Sequence, residues 1–460
     1  MKKRLAALAL VALLCLSMTV PAMAYDGGKT GAYNVVSAGW EHTAAIDEKG
    51  VLWVWGENDM GQMGNGGGGN DIGRMSHPIQ TVPIQVMDNV VSVSCGAGNV
   101  AAIDQEGGLW MWGFCYAGKL GNGGAHNGEN EYGAPAQTIP VKVMDGVAAV
   151  SCGLNHVAAI DKKGDLWMWG SNFDGQLGNN YVGDAFNESG SPYMTVPDLV
   201  MHNVVAVSCG GNHTAAIDAD GTLWAWGSNE EGQLGTDGAS DTWSAYYESI
   251  QTNPDRVMDH VVAVSCGENH TAAIDQDGTL WTWGWNEFGQ LGTGDTVSSA
   301  IPVKVMDNAV SVSCGYHCTA VIDQEGALWI WGDDRHGQIG VDGQVNDENA
   351  AREPIQTLPT KVMDQVSAVS FGFDHTAAVT EDGTLWTWGA NDCGQLGDGT
   401  TNSSPAPVPL SHPVMAKAGP STSRRGTSPI LILLRVVLAV LVVIAGVTVF
   451  SKKKRDSKQQ

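Results

Sequence analysis

The chain has 460 residues, with 60 glycines, 17 tryptophans and a formal net charge of −25. Glycine well above its usual ~7%, with only 17 prolines, fits neither a collagen nor a Pro/Gly-rich disordered chain, and 43% hydrophobic residues can fill a large core. An excess of acid this large also argues against nucleic acid as a partner, because phosphate binding runs on lysine and arginine.

Residues 1–24 read as a secretory signal. Lys2, Lys3 and Arg4 form the charged start, Leu5 to Val20 the apolar stretch, and Ala22-Met23-Ala24 a small-residue cleavage site. Leu14 is too large for the position before a lipidated Cys15, so cleavage after Ala24 is expected.

From residue 25 to 410 a block of about 30 residues recurs seven times, its first glycine at Gly39, Gly96, Gly153, Gly210, Gly267, Gly315 and Gly372. Each copy carries Leu-Trp-x-Trp-Gly, as at Trp281 and Trp283, so 14 of the 17 tryptophans fill one repeated slot. Only Trp40, Trp243 and Trp285 fall outside it. Three short strands fit each block: one ending at the glycine, one over His-Thr-Ala-Ala-Ile, and one over Leu-Trp-x-Trp-Gly. An X-Gly pair such as Asp277-Gly278 joins the last two, a hairpin signal because glycine tolerates positive φ. A fourth strand, such as Ile301 to Met306, is expected ahead of each block. Block one lacks it and Pro405 to Leu410 is a spare one, so that C-terminal strand is expected to pair with block one and close the ring. The fold expected is all-β, a seven-bladed β-propeller of four-stranded blades closed by a C-terminal strand, plus one C-terminal transmembrane helix.

A polar linker covers 411–428. Ile430 to Phe450, within an expected transmembrane helix over 429–451, is long enough to cross a bilayer, and Arg435 can snorkel to the interface. Lys452, Lys453, Lys454 and Arg455 open a basic tail, 452–460, placed in the cytoplasm by the positive-inside rule. A bacterial-type exported protein, single-pass with its N-terminus outside, is therefore expected. Between residues 25 and 420 there are 13 Lys+Arg against 48 Asp+Glu, so the outer part carries −35 and favours cationic partners.

Together, Gly-x-x-His-Thr-x-Ala-Ile, Leu-Trp-x-Trp-Gly and Gly-Gln-Leu-Gly over about 33–410 resemble the regulator of chromosome condensation repeat family. The resemblance implies a seven-bladed propeller. It also offers an alternative function, guanine-nucleotide exchange or regulation, although no segment here matches exchange-active residues. A fold hosts many functions.

No catalytic, cofactor-binding or metal-binding residue is assigned. His42, His156, His213, His270 and His375 share one slot, but ligands a blade apart cannot converge on a zinc ion, so hydrogen bonding between strands is expected. Cys95, Cys152, Cys209, Cys266 and Cys314 read as buried thiols, with Cys314 and Cys318 a possible pair. Gly113 to Lys119 matches the start of a phosphate loop, yet Leu120 replaces the magnesium-binding hydroxyl and Lys119 stands where sister copies have glutamine. Asp275 to Gly278 resembles part of a calcium loop but is the repeated hairpin turn.

Insertions at about 65–80, 122–138, 179–195, 236–252 and 341–358 should share one face of the ring. They supply the candidate interaction residues Phe186, Tyr193, Trp243, Tyr246, Tyr247, Asp342 and Asp347. The expected function is a monomeric, membrane-anchored surface module, non-catalytic, binding an extracellular protein or glycan.

Overall fold

The structure, a computed structural model, describes residues 33–410 apart from 74–76, 131–132, 188–189, 238–241 and 244–248. The expected signal segment, linker, membrane helix and basic tail lie outside the described residues. Among the described residues no helix is long and apolar enough to cross a membrane.

Among them, seven antiparallel sheets follow one another along the chain. Blade five shows the pattern: Val261–Cys266, His270–Asp275, Leu280–Gly284 and Ser299–Met306 lie side by side in that order. Gly278 turns the central hairpin at φ +79. Asp275 fixes that turn: its Oδ1 accepts the N–H groups of Asp277 at 2.9 Å and Thr279 at 3.0 Å, and its Oδ2 accepts Trp281 Nε1–H at 2.9 Å. Trp53, Trp110, Trp224 and Trp329 brace their own hairpins through an aspartate in the same way. The second tryptophan of the pair, Trp283 here, is fully buried, as are Trp55, Trp112, Trp169, Trp226, Trp331 and Trp388.

The fourth strand belongs after its block. Ser299–Met306 pairs with Leu280–Gly284, Trp281 lying opposite Lys304 and Thr282 opposite Val303. Likewise Ser404–Leu410 pairs with Leu385–Gly389 of blade seven, which corrects the expectation that it joins the first block. The reason is reach. The free edge nearest the returning chain is its own third strand, whereas the first strand of every sheet sits innermost, at the axis. Ser404–Leu410 still lies at a sheet edge, where its prolines remove no ladder bonds.

Five blades gain a fifth, two-residue strand outside the fourth, and all five come from the insertions: Asp71–Ile72, Gly128–Glu129, Ala185–Phe186, Thr242–Trp243 and Asp347–Glu348. An amide or carboxylate pins the hairpin back. Asn70, Asn127, Asp184 and Asn346 accept the backbone N–H of Thr81, Thr138, Thr195 and Thr357 at 2.8–2.9 Å.

Three repeated latches join neighbouring blades. Near the axis, Ser37 Oγ accepts Cys95 N–H at 2.9 Å and Ser94 Oγ accepts Cys152 N–H at 3.0 Å, the same contact recurs at Cys209, Cys266 and Cys314, and Ser370 Oγ accepts Ala38 N–H at 3.0 Å. Further out, each buried tryptophan donates Nε1–H to a loop carbonyl of the preceding blade, Trp283 to Gln233 and Trp55 to Gln395, at 2.9 and 2.8 Å. The glycine two residues after that carbonyl makes room: a Cβ on Gly397 would lie 2.6 Å from Trp55 Nε1, at φ +74. Between these latches, Thr271 Oγ1–H donates to Gln233 O at 2.8 Å, so its lone pairs are left to accept His213 Nε2–H at 2.9 Å. Thr43, Gln395 and His375 repeat this across the seam between blades seven and one, at 2.9 and 2.7 Å. The ring therefore closes between blades seven and one by the same kinds of side-chain contact that join other blades, without a shared sheet, although Val100 and Val157 leave blades two and three without the latch threonine.

Candidate functional site

Antiparallel order brings the ends of the first strands and the third-to-fourth loops to the same end of every blade. The insertions emerge there too, at the outer rim. At the axis the first-strand ends surround an opening of about 210 Å³, walled by the repeated Ser-Cys-Gly segments. Burial pushes the thiols up, Cys152 to about 11 and Cys266 and Cys314 to about 12, so they face the opening as unreactive thiols. Cys314 and Cys318 are both free, and Cys318 Sγ–H donates to Asp333 O at 3.2 Å, which corrects their expected candidacy as a pair.

The rim of the opening is asymmetric. Ala97, Leu154 and Gly211 line one side, while Trp40, Phe373 and Tyr316 line the other. These rings continue outward as one chain of aromatic contacts. Trp40 meets Phe373 edge-on at 5.6 Å, Phe373 meets Tyr316 at 4.2 Å, and Tyr316 meets His317 at 4.4 Å. His317 stacks on Phe288 at 4.1 Å and takes Trp285 edge-on at 4.9 Å. The crescent spans blades five, six, seven and one, and Trp40 at its end is 44% exposed.

Charges hold the crescent in place. His317 Nε2–H donates to Glu268 at 3.1 Å, and Nδ1 lies 3.7 Å from Asp333. Burial pulls His317 down, but the carboxylates of Asp333 and Glu268 outweigh that and hold it above its ordinary value. Arg335 bonds Asp333 through Nη2 and Nε, at 2.7 and 2.9 Å, and lies over the Phe288 ring. Burial raises Asp333, but His317 and Arg335 prevail and keep it below the usual range. Glu268 and Asp374 flank Tyr316, and burial raises Asp374.

The seven residues expected from the insertions do not gather. Phe186, 64% exposed, and half-buried Tyr193 lie on the outer hairpin of blade three. Trp243 lies on the short outer strand of blade four, and Tyr246 and Tyr247 lie outside the described residues. Asp342 and Asp347 are exposed on blade six, Asp342 at φ +53 with its N–H donating to Pro405 O at 3.0 Å. The crescent was hidden because its members occupy variable positions inside the constant block: the two residues between glycine and histidine, and those following Trp-Gly. Trp40 and Trp285, outside the repeated tryptophan slot, were the only signal of it in the sequence.

Lys119 is 1% exposed and donates from Nζ to Leu154 O at 2.9 Å, with burial lowering it to about 8. Among the described residues two groups of side chains could hold a metal ion, Glu41 with Glu57 and Cys393, and Glu57 with Asp59 and His77. Burial, Asp59 and Glu41 together push Glu57 up to about 9.

Family models agree with this geometry. The RCC1-like domain matches residues 186–423, and the regulator of chromosome condensation repeat matches 35–62 and 147–176 in one form and 49–103 and 106–160 in another. The Arabidopsis thaliana ultraviolet-B receptor UVR8 is 31% identical over 392 residues, covering 82% of this chain and 70% of that protein. Human E3 ubiquitin-protein ligase HERC2 is 30% identical over 369 residues, 79% of this chain but 7% of that protein. Among solved structures, Saccharomyces cerevisiae Prp20p, studied for its binding to Gsp1p and histones, superimposes with a TM-score of 0.64 at 20% identity, covering 84% and 88% of the two chains. Human WBSCR16 does so at 0.63 and 23%, covering 79% and 95%.

Proposed function

Because the chain belongs to the regulator of chromosome condensation repeat family, we propose that its ring is a non-catalytic interaction module, held at the cell surface by the C-terminal apolar segment, that takes a basic protein segment across the aromatic crescent. One observation carries the reading: Trp40, Phe373, Tyr316, His317, Phe288 and Trp285 form a continuous aromatic arc on one face, with Trp40 open to solvent. Ring faces flanked by Glu268 and Asp374 suit lysine and arginine side chains, through cation–π contact and carboxylate pairing. The −35 charge between residues 25 and 420 steers such a partner inward.

Selection of displayed peptides on the immobilised protein tests this. Enriched peptides should be rich in Lys and Arg, should lose affinity with rising salt, and should bind at least tenfold more weakly to a Trp40→Ala, Phe373→Ala double variant of unchanged near-UV circular dichroism. Enrichment of acidic or neutral peptides, or indifference to the double variant, would refute the crescent as the site. External protease on whole cells tests the location. A protein that survives intact favours the nucleotide-exchange or regulatory alternative, and one that is shaved supports surface display.

A further inference from the structure

Glu57 sits at the seam between the first and last blades, in a setting its sister positions do not share. It follows Trp-Gly, where the other copies have Phe114, Ser171, Ser228, Trp285, Asp333 and Ala390. Around it converge Glu41 from the turn before His42, Asp59 two residues on, His77 from the insertion, and Cys393 from blade seven. His77 Nδ1 lies 3.4 Å from Glu57 Oε1 and 3.8 Å from Asp59 Oδ2. Cys393 Sγ lies 3.1 Å from Glu41 Oε2, and the Glu41 and Glu57 carboxyl groups are themselves in hydrogen-bonding contact.

Blade six supplies the control. Its residues in the slots of Glu41, Glu57 and Asp59 are His317, Asp333 and Arg335, and there the chain neutralises its own carboxylate with a guanidinium at 2.7 Å. In blade one the same three slots are all acidic. Among the described residues no lysine or arginine pairs with Glu41, Glu57 or Asp59. Among the described residues no side chain supplies the charge that blade six carries covalently, while an imidazole and a thiol, both metal ligands, have been brought in from two separate loops.

We propose that this seam binds one divalent transition-metal ion of the zinc class through four of these five groups: Glu57, which the two triads share, His77 from the insertion, Cys393 from blade seven, and one neighbouring carboxylate, Asp59 or Glu41. The donor set argues for that class. Thiolate and imidazole are poor ligands for magnesium or calcium, which take oxygen, but suit zinc and its neighbours. Within each triad the ligand atoms lie within 4.8 Å of one another. Tetrahedral zinc with bonds of ~2.0–2.3 Å holds its ligands about 3.4 Å apart, so the two triads, which share Glu57, must draw together around one ion by side-chain rotation. Binding displaces the thiol proton to solvent, and the ion then links blade seven to blade one where no strand crosses.

The test is cobalt and zinc titration of the purified full chain after chelator treatment. The expected result is one Co²⁺ per chain with tetrahedral visible bands and a near-ultraviolet thiolate charge-transfer band, displaced by Zn²⁺, and a melting temperature raised by either ion. Glu57→Gln should lose stoichiometric uptake and the thermal shift while melting like wild type in chelator. His77→Ala should weaken binding at least tenfold, and Cys393→Ser should abolish the charge-transfer band. No stoichiometric uptake by wild type, or uptake unchanged in both Glu57→Gln and His77→Ala, overturns the site. A charge-transfer band that persists in Cys393→Ser overturns the role given to Cys393. Should Glu57→Gln melt lower in chelator, His77→Ala, altered only in the insertion, decides the matter.

Discussion

Acidification should strip stability from the ring through its buried histidines. His156, His213, His270 and His375 are held down to about 3 and His42 to about 4, in each case chiefly by burial. They stay neutral in the folded chain at pH 5, whereas in the unfolded chain, with values near 6.5, they are almost wholly charged. The unfolded state therefore binds more protons across the window from about 6.5 down to about 3, and stability falls as pH falls there. Between pH 8 and pH 5 each histidine costs about 1.5 pH units' worth, or about 2 kcal/mol, and five cost about 10 kcal/mol. That is comparable to the whole stability of many domains. His317, held above its ordinary value, works the other way: its contribution is complete below the unfolded value and fades as pH rises through the folded one. The assay is urea unfolding of the purified protein at half-unit pH steps, followed by tryptophan fluorescence. His213→Asn, which copies the Asn99 that blade two carries in this slot, should remove about one proton from the pH slope. Stability that is flat from pH 8 to pH 5, or a slope unchanged in His213→Asn, would refute the reasoning.

In blade two Val100 replaces the latch threonine, and His42 Nε2 has no hydrogen-bond partner. Val100→Thr should stabilise by about 1 kcal/mol in urea unfolding, while Thr271→Val, which breaks an existing latch, should cost about 1–3 kcal/mol. Opposite signs for reciprocal changes are the diagnostic. Lys119→Gln restores the residue of the sister loops, where glutamine Oε1 accepts the N–H two residues earlier, as Gln290 does for Phe288 at 3.0 Å. Lysine cannot accept, and its loop instead makes a 3-10 turn with Ala117 at φ +52. The variant should gain up to about 3 kcal/mol at pH 7. It should also lose the wild-type rise in stability between pH 8 and 10.5, where the unfolded lysine still holds its proton. Gln365 links two blades at φ +58, a role Gly146 fills at φ +72, so Gln365→Gly should raise stability by about 1 kcal/mol in the same assay.

The sequence by itself determined the ring. Period-2 strands, X-Gly hairpins and seven copies of Trp-x-Trp-Gly leave few other ways to bury seven indoles, and the histidine slot is legible as structural, since single ligands a blade apart cannot meet. Two matters needed the tertiary structure. Strand order was one: a Pro-Val strand such as Ser299–Met306 ends three residues before the next block at Ala309 and begins fifteen after Gly284, so sequence proximity points forwards, and only the free edge of the preceding third strand decided that it pairs backwards. The gathering of sites was the other. Trp40 and Phe373 are neighbours across the seam although the length of the ring separates them in sequence, and Glu57 meets Cys393 the same way. A repeat fixes what every blade shares because the same local contacts recur in each. What sets one interface apart is the side chains at variable slots, and which of these touch depends on the closure of the circle.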